Sequence, residues 1–389
     1  MEPYDFDTIV NRKNTMSLKY DAVAARGMPE DCLPLWVADM DFGTAPEIRA
    51  ALAPWVIQGI FGYALPSAHY RAAVVSWMGR RYGYDLDPNA IVTSPSVVFA
   101  LATAIRAFTA PGDAVLIQQP VYHPFKKMIE SNGRRMVSND LILDGCTCHM
   151  DLVDLEEKIR RHGVKLFLFC HPHNPMGRVW QISELQEVGE LCKRYGVTVV
   201  SDEIHADLTW TPEGHTMLCQ ACPALAQQII TCTSPSKTFN LAGLQIANIL
   251  IPNQKMRDAF QAEKAATGYG EENILGLVAC EAAYQHGEDW YQALRTYLMA
   301  NLREAVDKLN QSSMVKTTMP GATYLLWLDL RNTGLEAREI NRKLLQEAKV
   351  WLNDGRMFSE KAAGFFRLNA ACPKQTLEEG VARILHTFR

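Results

Sequence analysis

From residue 90 to residue 251 the chain repeats one pattern: a short apolar run, a stretch with helical periodicity, then another apolar run. Residues 90–93, 114–117, 164–170, 197–201 and 228–233 read as strands, and 245–251 as a further one. Helical patterns fill 96–108, 121–131, 151–161 and 182–195. Strands this uniformly apolar are buried on both faces, and a connection of about a dozen residues is what a parallel crossover requires. The pattern predicts an α/β fold: a mostly parallel, doubly wound sheet with helices on both faces. From about residue 279 the pattern changes to a long helical region, the strand-like TYLLWLDL, a helix over 337–348, the run GFFRLN and a last helix ending at Arg389. That mixture predicts a smaller α+β domain. The expected division is 1–45 for an N-terminal segment joining the small domain, 46–285 for the large domain and 286–389 for the small one.

Composition narrows the function. With 39 basic and 43 acidic residues and no basic block, the chain lacks the electrostatic footprint of a nucleic-acid binder. No apolar run reaches the ~18 residues of a membrane span, and MEPYDFDTIVNRK has no apolar signal core, so a soluble cytoplasmic protein is expected. The ten cysteines are scattered. Cys219 and Cys222 form a lone C-x-x-C, and Cys146 and Cys148 near His149 do no better, so all are expected to be free thiols with no metal site. Neither G-x-G-x-x-G nor G-x-x-x-x-G-K-[ST] occurs, which argues against nucleotide binding.

Ligands of open α/β sheets bind beyond the carboxyl ends of the strands. Here those ends read SPSVV, QQPVYHP, HPHNPMG, SDEIH and TSPSK, and they would bring Tyr122, Asn174, Asp202, His205, Ser234, Ser236 and Lys237 to one crevice. Taken singly, an Asp after a strand is a helix cap, Asn-Pro a turn and Lys237 a solvated charge. Jointly they fit pyridoxal phosphate. A lysine forms a Schiff base with its aldehyde, and a carboxylate keeps the pyridine nitrogen protonated so that the ring accepts electrons. Asp202 would be that carboxylate. Ser96, the backbone amides of Val97 and Val98, and the hydroxyls of Ser234 and Ser236 would receive the phosphate at a helix start. Tyr122 would stack on the ring, with Asn174 and His205 bonding its phenolic oxygen.

HNPMGRVW, SDEIHADL and SPSKTFNLAGLQ, in this order, resemble the fold-type I pyridoxal-phosphate enzymes of the aspartate aminotransferase superfamily. More narrowly, WVADMDF, FGYALPSAHY, PSVV, AAYQHGEDW and GFFRLNAACP resemble the carbon-sulfur β-lyases of the MalY/PatB type, which include cystathionine β-lyases. The resemblance implies that Lys237 is the Schiff-base lysine and Asp202 the partner of the pyridine nitrogen. It adds Arg367 as the clamp on the substrate α-carboxylate, with Asn174 beside it, a role that suits a planar guanidinium. It also implies that Tyr63 reaches the phosphate of the neighbouring subunit's cofactor, which makes the active unit a homodimer. In aminotransferases a tyrosine commonly stands three residues after the aspartate and an arginine eight after the lysine; His205 and Gln245 stand there in this chain. Both departures side with the lyases.

The implied reaction is β-elimination from an amino-acid thioether, with Lys237 removing the α-proton and a thiol, pyruvate and ammonia as products. Lys237, Tyr122 or Tyr63 would protonate the leaving sulfur. The alternatives are a class I/II aminotransferase, and a lyase that also regulates by binding a transcription factor, for which no surface motif argues. Expected pocket edges are the segment 36–42 and the surroundings of Tyr324.

Overall fold

A computed structural model describes residues 4–389. Its main sheet has seven strands: β1 (Ile91–Ser94), β2 (Ala114–Ile117), β3 (Arg135–Ser138), β4 (Leu166–Cys170), β5 (Thr198–Asp202), β6 (Ile229–Thr233) and β7 (Ala247–Leu250). Their order across the sheet is β1-β7-β6-β5-β4-β2-β3. Pairings among β2 to β6 are parallel, whereas β7 runs antiparallel to both β1 and β6. β1 therefore points the same way as β6, and the carboxyl ends of six strands lie along one edge.

Side-chain alternation along the strands builds two cores. Val200 and Ile230 face one layer, packed on helices Val97–Phe108 and Pro124–Ser131, while Val199 and Ile229 face the other, packed on helices Ala68–Tyr82 and Ile182–Tyr195. Each fully buried Leu, Ile or Phe contributes about 1.5–3 kcal/mol, so the double burial inferred from the apolar runs accounts for the sheet's stability.

Two expected helices are cut differently. The pattern at 121–131 yields a helix only from Pro124, because a proline is suited to the first helical turn. Val121 and Tyr122 instead lend their amides to Phe358 O and Asn174 O, which ties this loop across the site. The long helical region breaks at Gly287 into Ile274–His286 and Glu288–Asn310. A Cβ at Gly287 would come within 2.5 Å of the Phe239 ring, so the chain bends where that ring is accommodated.

The C-terminal part carries an antiparallel sheet of β8 (Leu325–Asp329), β9 (Asn353–Asp354) and β10 (Phe365–Asn369), in the order β8-β10-β9. Phe366 and Leu368 pack in a cluster with Leu326, Leu344 and Val381. Successive strand residues face opposite sides, so Arg367 between them is turned away from this core. The N-terminal segment joins in: Leu33 and Pro34 pair in parallel with Val350 and Trp351, and Leu35 is buried in the same cluster. Among the described residues no helix is long and apolar enough to cross a membrane.

Candidate active site

A cavity of about 340 Å³ opens at the strand ends. Every residue expected to hold cofactor or substrate lines it except Tyr63, which is 95% exposed elsewhere on the surface; of the expected edges, residues 39–42 and Tyr324 are not in the lining.

Lys237 lies on a single helical turn, Pro235–Thr238, that follows β6 directly. Ser234 caps this turn by accepting from Ser236 N at 3.1 Å, and its own hydroxyl donates to Ile246 O at 2.7 Å. The expectation that Ser234 gives a hydroxyl to phosphate thus meets a competing use, and Ser236 is the freer donor. Lys237 Nζ donates to Ala38 O at 2.6 Å. Burial lowers its pKa to about 8, and the Arg367 charge acts in the same direction.

Asp202 ends β5, and its carboxylate accepts a 3.2 Å bond from Ile204 N. Among the described residues it forms no ion pair, and burial raises its pKa to about 7. His205, one short loop further on, is 2% exposed with Nδ1 unbonded. Burial and the charges of Lys237 and Arg367 push its pKa well below the usual range, so it is neutral.

Arg367 presents the complementary case. Its guanidinium donates to Asn174 Oδ1 at 2.8 Å, Asn353 Oδ1 at 2.7 Å and Trp36 O at 3.1 Å, and lies 5.0 Å over the Phe358 ring. All three hydrogen-bond acceptors are neutral. A buried cation held by neutral groups, with Nε unbonded, is positioned to receive an anion.

At the other side of the cavity, Ser96 caps the helix Val97–Phe108 by accepting from Phe99 N at 3.1 Å. Val97 and Val98 line the cavity, and their amides, in the first turn, have no intrahelical acceptor, which leaves them free for an anion. Tyr122 completes the wall, with its ring 5.3 Å from that of His123.

A family model of aminotransferase class I and II matches residues 30–384. The chain belongs to that family. It is 42% identical to cystathionine beta-lyase PatB of Bacillus subtilis over 98% of each chain. Among solved structures it is similar to cystalysin from Treponema denticola, which contains a pyridoxal 5'-phosphate cofactor, with a TM-score of 0.95, 33% identity and coverage of 99% and 98%. It is likewise similar to the PLP-bound C-S lyase from Staphylococcus hominis, with a TM-score of 0.92, 32% identity and coverage of 99% and 98%.

For a class I and II family member the site also uses residues that strand-end reasoning does not reach. Ala38 acts through its carbonyl, Asn353 sits on a two-residue strand, and Arg26, Leu18 and Met357 form the mouth. The segment 36–42 was an expected pocket edge, and Trp36, Val37 and Ala38 do line the cavity. Its two acids are fixed by cations: Asp39 by Arg12 at 2.7 Å, and Asp41 by Arg12 and the fully buried Lys19, both at 2.7 Å. WVADMDF carried that signal.

Proposed function

We propose that the protein is a pyridoxal-phosphate-dependent carbon-sulfur lyase that cleaves L-cystathionine or related cysteine S-conjugates to a thiol, pyruvate and ammonia. The observation that carries the reading is a pair of opposite charges in one cavity that have no ion-pair partner among the described residues, Asp202 and Arg367, with the weakened amine of Lys237 in charge reach of both. The full-length likeness to lyases named for this chemistry supports it.

The residues present fit pyridoxal phosphate. Asp202 would pair with its pyridine nitrogen, and the amides of Val97 and Val98 with Ser96 and Ser236 would hold its phosphate. Tyr122 would stack on the ring, while Asn174 and the neutral His205 would bond its phenolic oxygen. When bound, the cofactor supplies an aldehyde for an amine and a ring that accepts electrons.

The chain's own residues do the rest. Arg367 grips the substrate α-carboxylate through a guanidinium pre-set by Asn174 and Asn353, which fixes the bond to the α-proton relative to Lys237. The Lys237 amine takes that proton, a task suited to a group whose pKa lies near neutrality. The proton for the departing sulfur comes from Lys237, Tyr122 or Tyr63.

The assembly is a homodimer with Tyr63 reaching the neighbouring site. Supporting this, Ile57, Ile60, Phe61, Tyr63 and Leu65 form an exposed apolar stretch, and patches of this kind mark interaction surfaces. The chain divides into a cofactor-binding domain over 46–285 and a small domain over 286–389 joined by residues 1–45, as the strand pairing of Leu33 and Pro34 supports. Ten free, buried cysteines suit a reducing, cytoplasmic setting.

The test is to mix cofactor-loaded protein with L-cystathionine and quantify pyruvate and free thiol, with Lys237→Ala as control. Both products in equal amount, lost in the variant, are expected. Undiminished pyruvate release by the variant would remove Lys237 from the mechanism.

A further inference from the structure

Arg26 ends a short turn, Ala24–Arg26, in the N-terminal segment and stands at the exposed rim of the cavity. Its guanidinium carbon lies 4.7 Å from the centre of the Trp36 ring. That ring is stacked on Trp351 at 4.2 Å, and its Nε1 donates to Lys19 O at 3.2 Å, so the platform under Arg26 is fixed on two sides. A guanidinium resting on an indole face leaves its N-H edge free for a partner.

Among the described residues no hydrogen bond or ion pair takes that edge. Of the acids near it in the segment, Asp21 accepts from the amides of Asn14, Thr15 and Ser17, Asp31 pairs with Lys349 at 3.2 Å, Asp39 and Asp41 pair with Arg12 at 2.7 Å, and the exposed Glu30 forms no ion pair with Arg26. Among the residues lining the cavity Asp202 is the one carboxylate, and it lies at the buried strand end rather than at the rim.

Trp36 links this cation to the buried one. Its carbonyl accepts from Arg367 at 3.1 Å while its ring carries Arg26. His123 lines the same space, and burial together with the charges of Arg367, Lys127 and Arg26 lowers its pKa, so it offers no competing cation at neutral pH. Leu18 and Met357, both exposed apolar side chains at the mouth, suit a thioether arm running outward.

We propose that Arg26 is a specificity-determining residue that selects cysteine S-conjugates whose sulfur-borne arm ends in a carboxylate. The inference rests on the lyase reading and names its substrate class: one carboxylate for Arg367 at the floor, a second for Arg26 at the rim.

The test compares S-(2-carboxyethyl)-L-cysteine with its amide counterpart, S-(2-carbamoylethyl)-L-cysteine, on the holoenzyme. Two quantities are read for each: kcat/KM for pyruvate release, and the apparent Kd from the change in cofactor absorbance. Wild-type protein is expected to favour the carboxylate about tenfold, mainly in KM, with the preference shrinking as salt is raised. Arg26→Gln should lose that preference through the carboxylate substrate alone, and Arg26→Lys should keep part of it, since a point charge replaces the planar fork. Equal values for both compounds in wild type would overturn the proposal. So would an equal fall for both in Arg26→Gln, which would leave Arg26 a packing role on Trp36. Absence of pyruvate from both compounds, with the carboxylate preference intact in Kd, would support selection by Arg26 and contradict the lyase reading instead.

Discussion

Lys237 and Tyr324 donate to the same acceptor: the Ala38 carbonyl receives Lys237 Nζ at 2.6 Å and the Tyr324 hydroxyl at 3.0 Å. Ala38 precedes Asp39, which Arg12 anchors, so the N-terminal segment sets where the amine rests. Tyr324→Phe removes one donor and should cost about 1 kcal/mol of stability, read from a denaturant midpoint, with a several-fold fall in kcat. An unchanged midpoint and rate would mean that the shared carbonyl is incidental.

Lys237→Ala should lower pyruvate formation by at least about a thousandfold, because in the proposed mechanism the same amine takes the α-proton and holds the cofactor aldehyde. Far-ultraviolet circular dichroism should be unchanged, since the side chain lines a cavity rather than a core.

Arg367→Lys keeps the charge but not the fork that bonds Asn174 and Asn353 together. A fall of about a hundredfold in kcat/KM is expected, carried mostly by KM. A loss below threefold would show that the substrate carboxylate docks elsewhere.

Asp202 predicts a pH signature in the cofactor-free protein. Its pKa is raised from 3.8 to about 7, so between those values the folded chain holds a proton that the unfolded chain releases. Stability is therefore lost as pH rises through that window. Asp202→Asn should stabilise the cofactor-free protein by about 1–3 kcal/mol at pH 8 and by almost nothing at pH 4. In the loaded enzyme the same change should slow turnover severely. Denaturant titrations at the two pH values check the first statement, and a gain that is the same at both would contradict it.

The exposed apolar stretch predicts assembly. Ile57 is 85% exposed on a helix whose one buried residue is Ile48, so Ile57→Glu should leave the monomer folded while blocking association. Sedimentation should show a dimer for wild type and a monomer for the variant, with activity falling as Tyr63 loses the neighbouring site.

The sheet was legible because its strands are apolar on both faces, which turns each into a visible run, and most of the site because its side chains follow such runs within a few residues; Arg367, inside a strand of the smaller sheet, came from the family resemblance. Asp202 proves to be the last residue of β5 itself, and Lys237 follows β6 by one turn. What stayed hidden involves groups with no side-chain signature or no local pattern. The Ala38 carbonyl is backbone, and Asn353 stands on a strand of two residues, too short to register as a period. The antiparallel sense of β7 was equally invisible, since an apolar run carries no direction. Arg26 reads in sequence as an ordinary surface arginine; only the fold shows it lying on Trp36.

On the proposed function this site eliminates a thiol rather than exchanging an amino group. The most direct measurement follows loaded enzyme with a cysteine S-conjugate and no 2-oxo acid, counting pyruvate, ammonia and thiol per active site over time. Equal amounts of all three, rising through many turnovers, are expected. A 2-oxo acid that stops at one equivalent per site and retains its sulfur substituent, with continued turnover only when an amino acceptor is added, would contradict elimination and identify transamination.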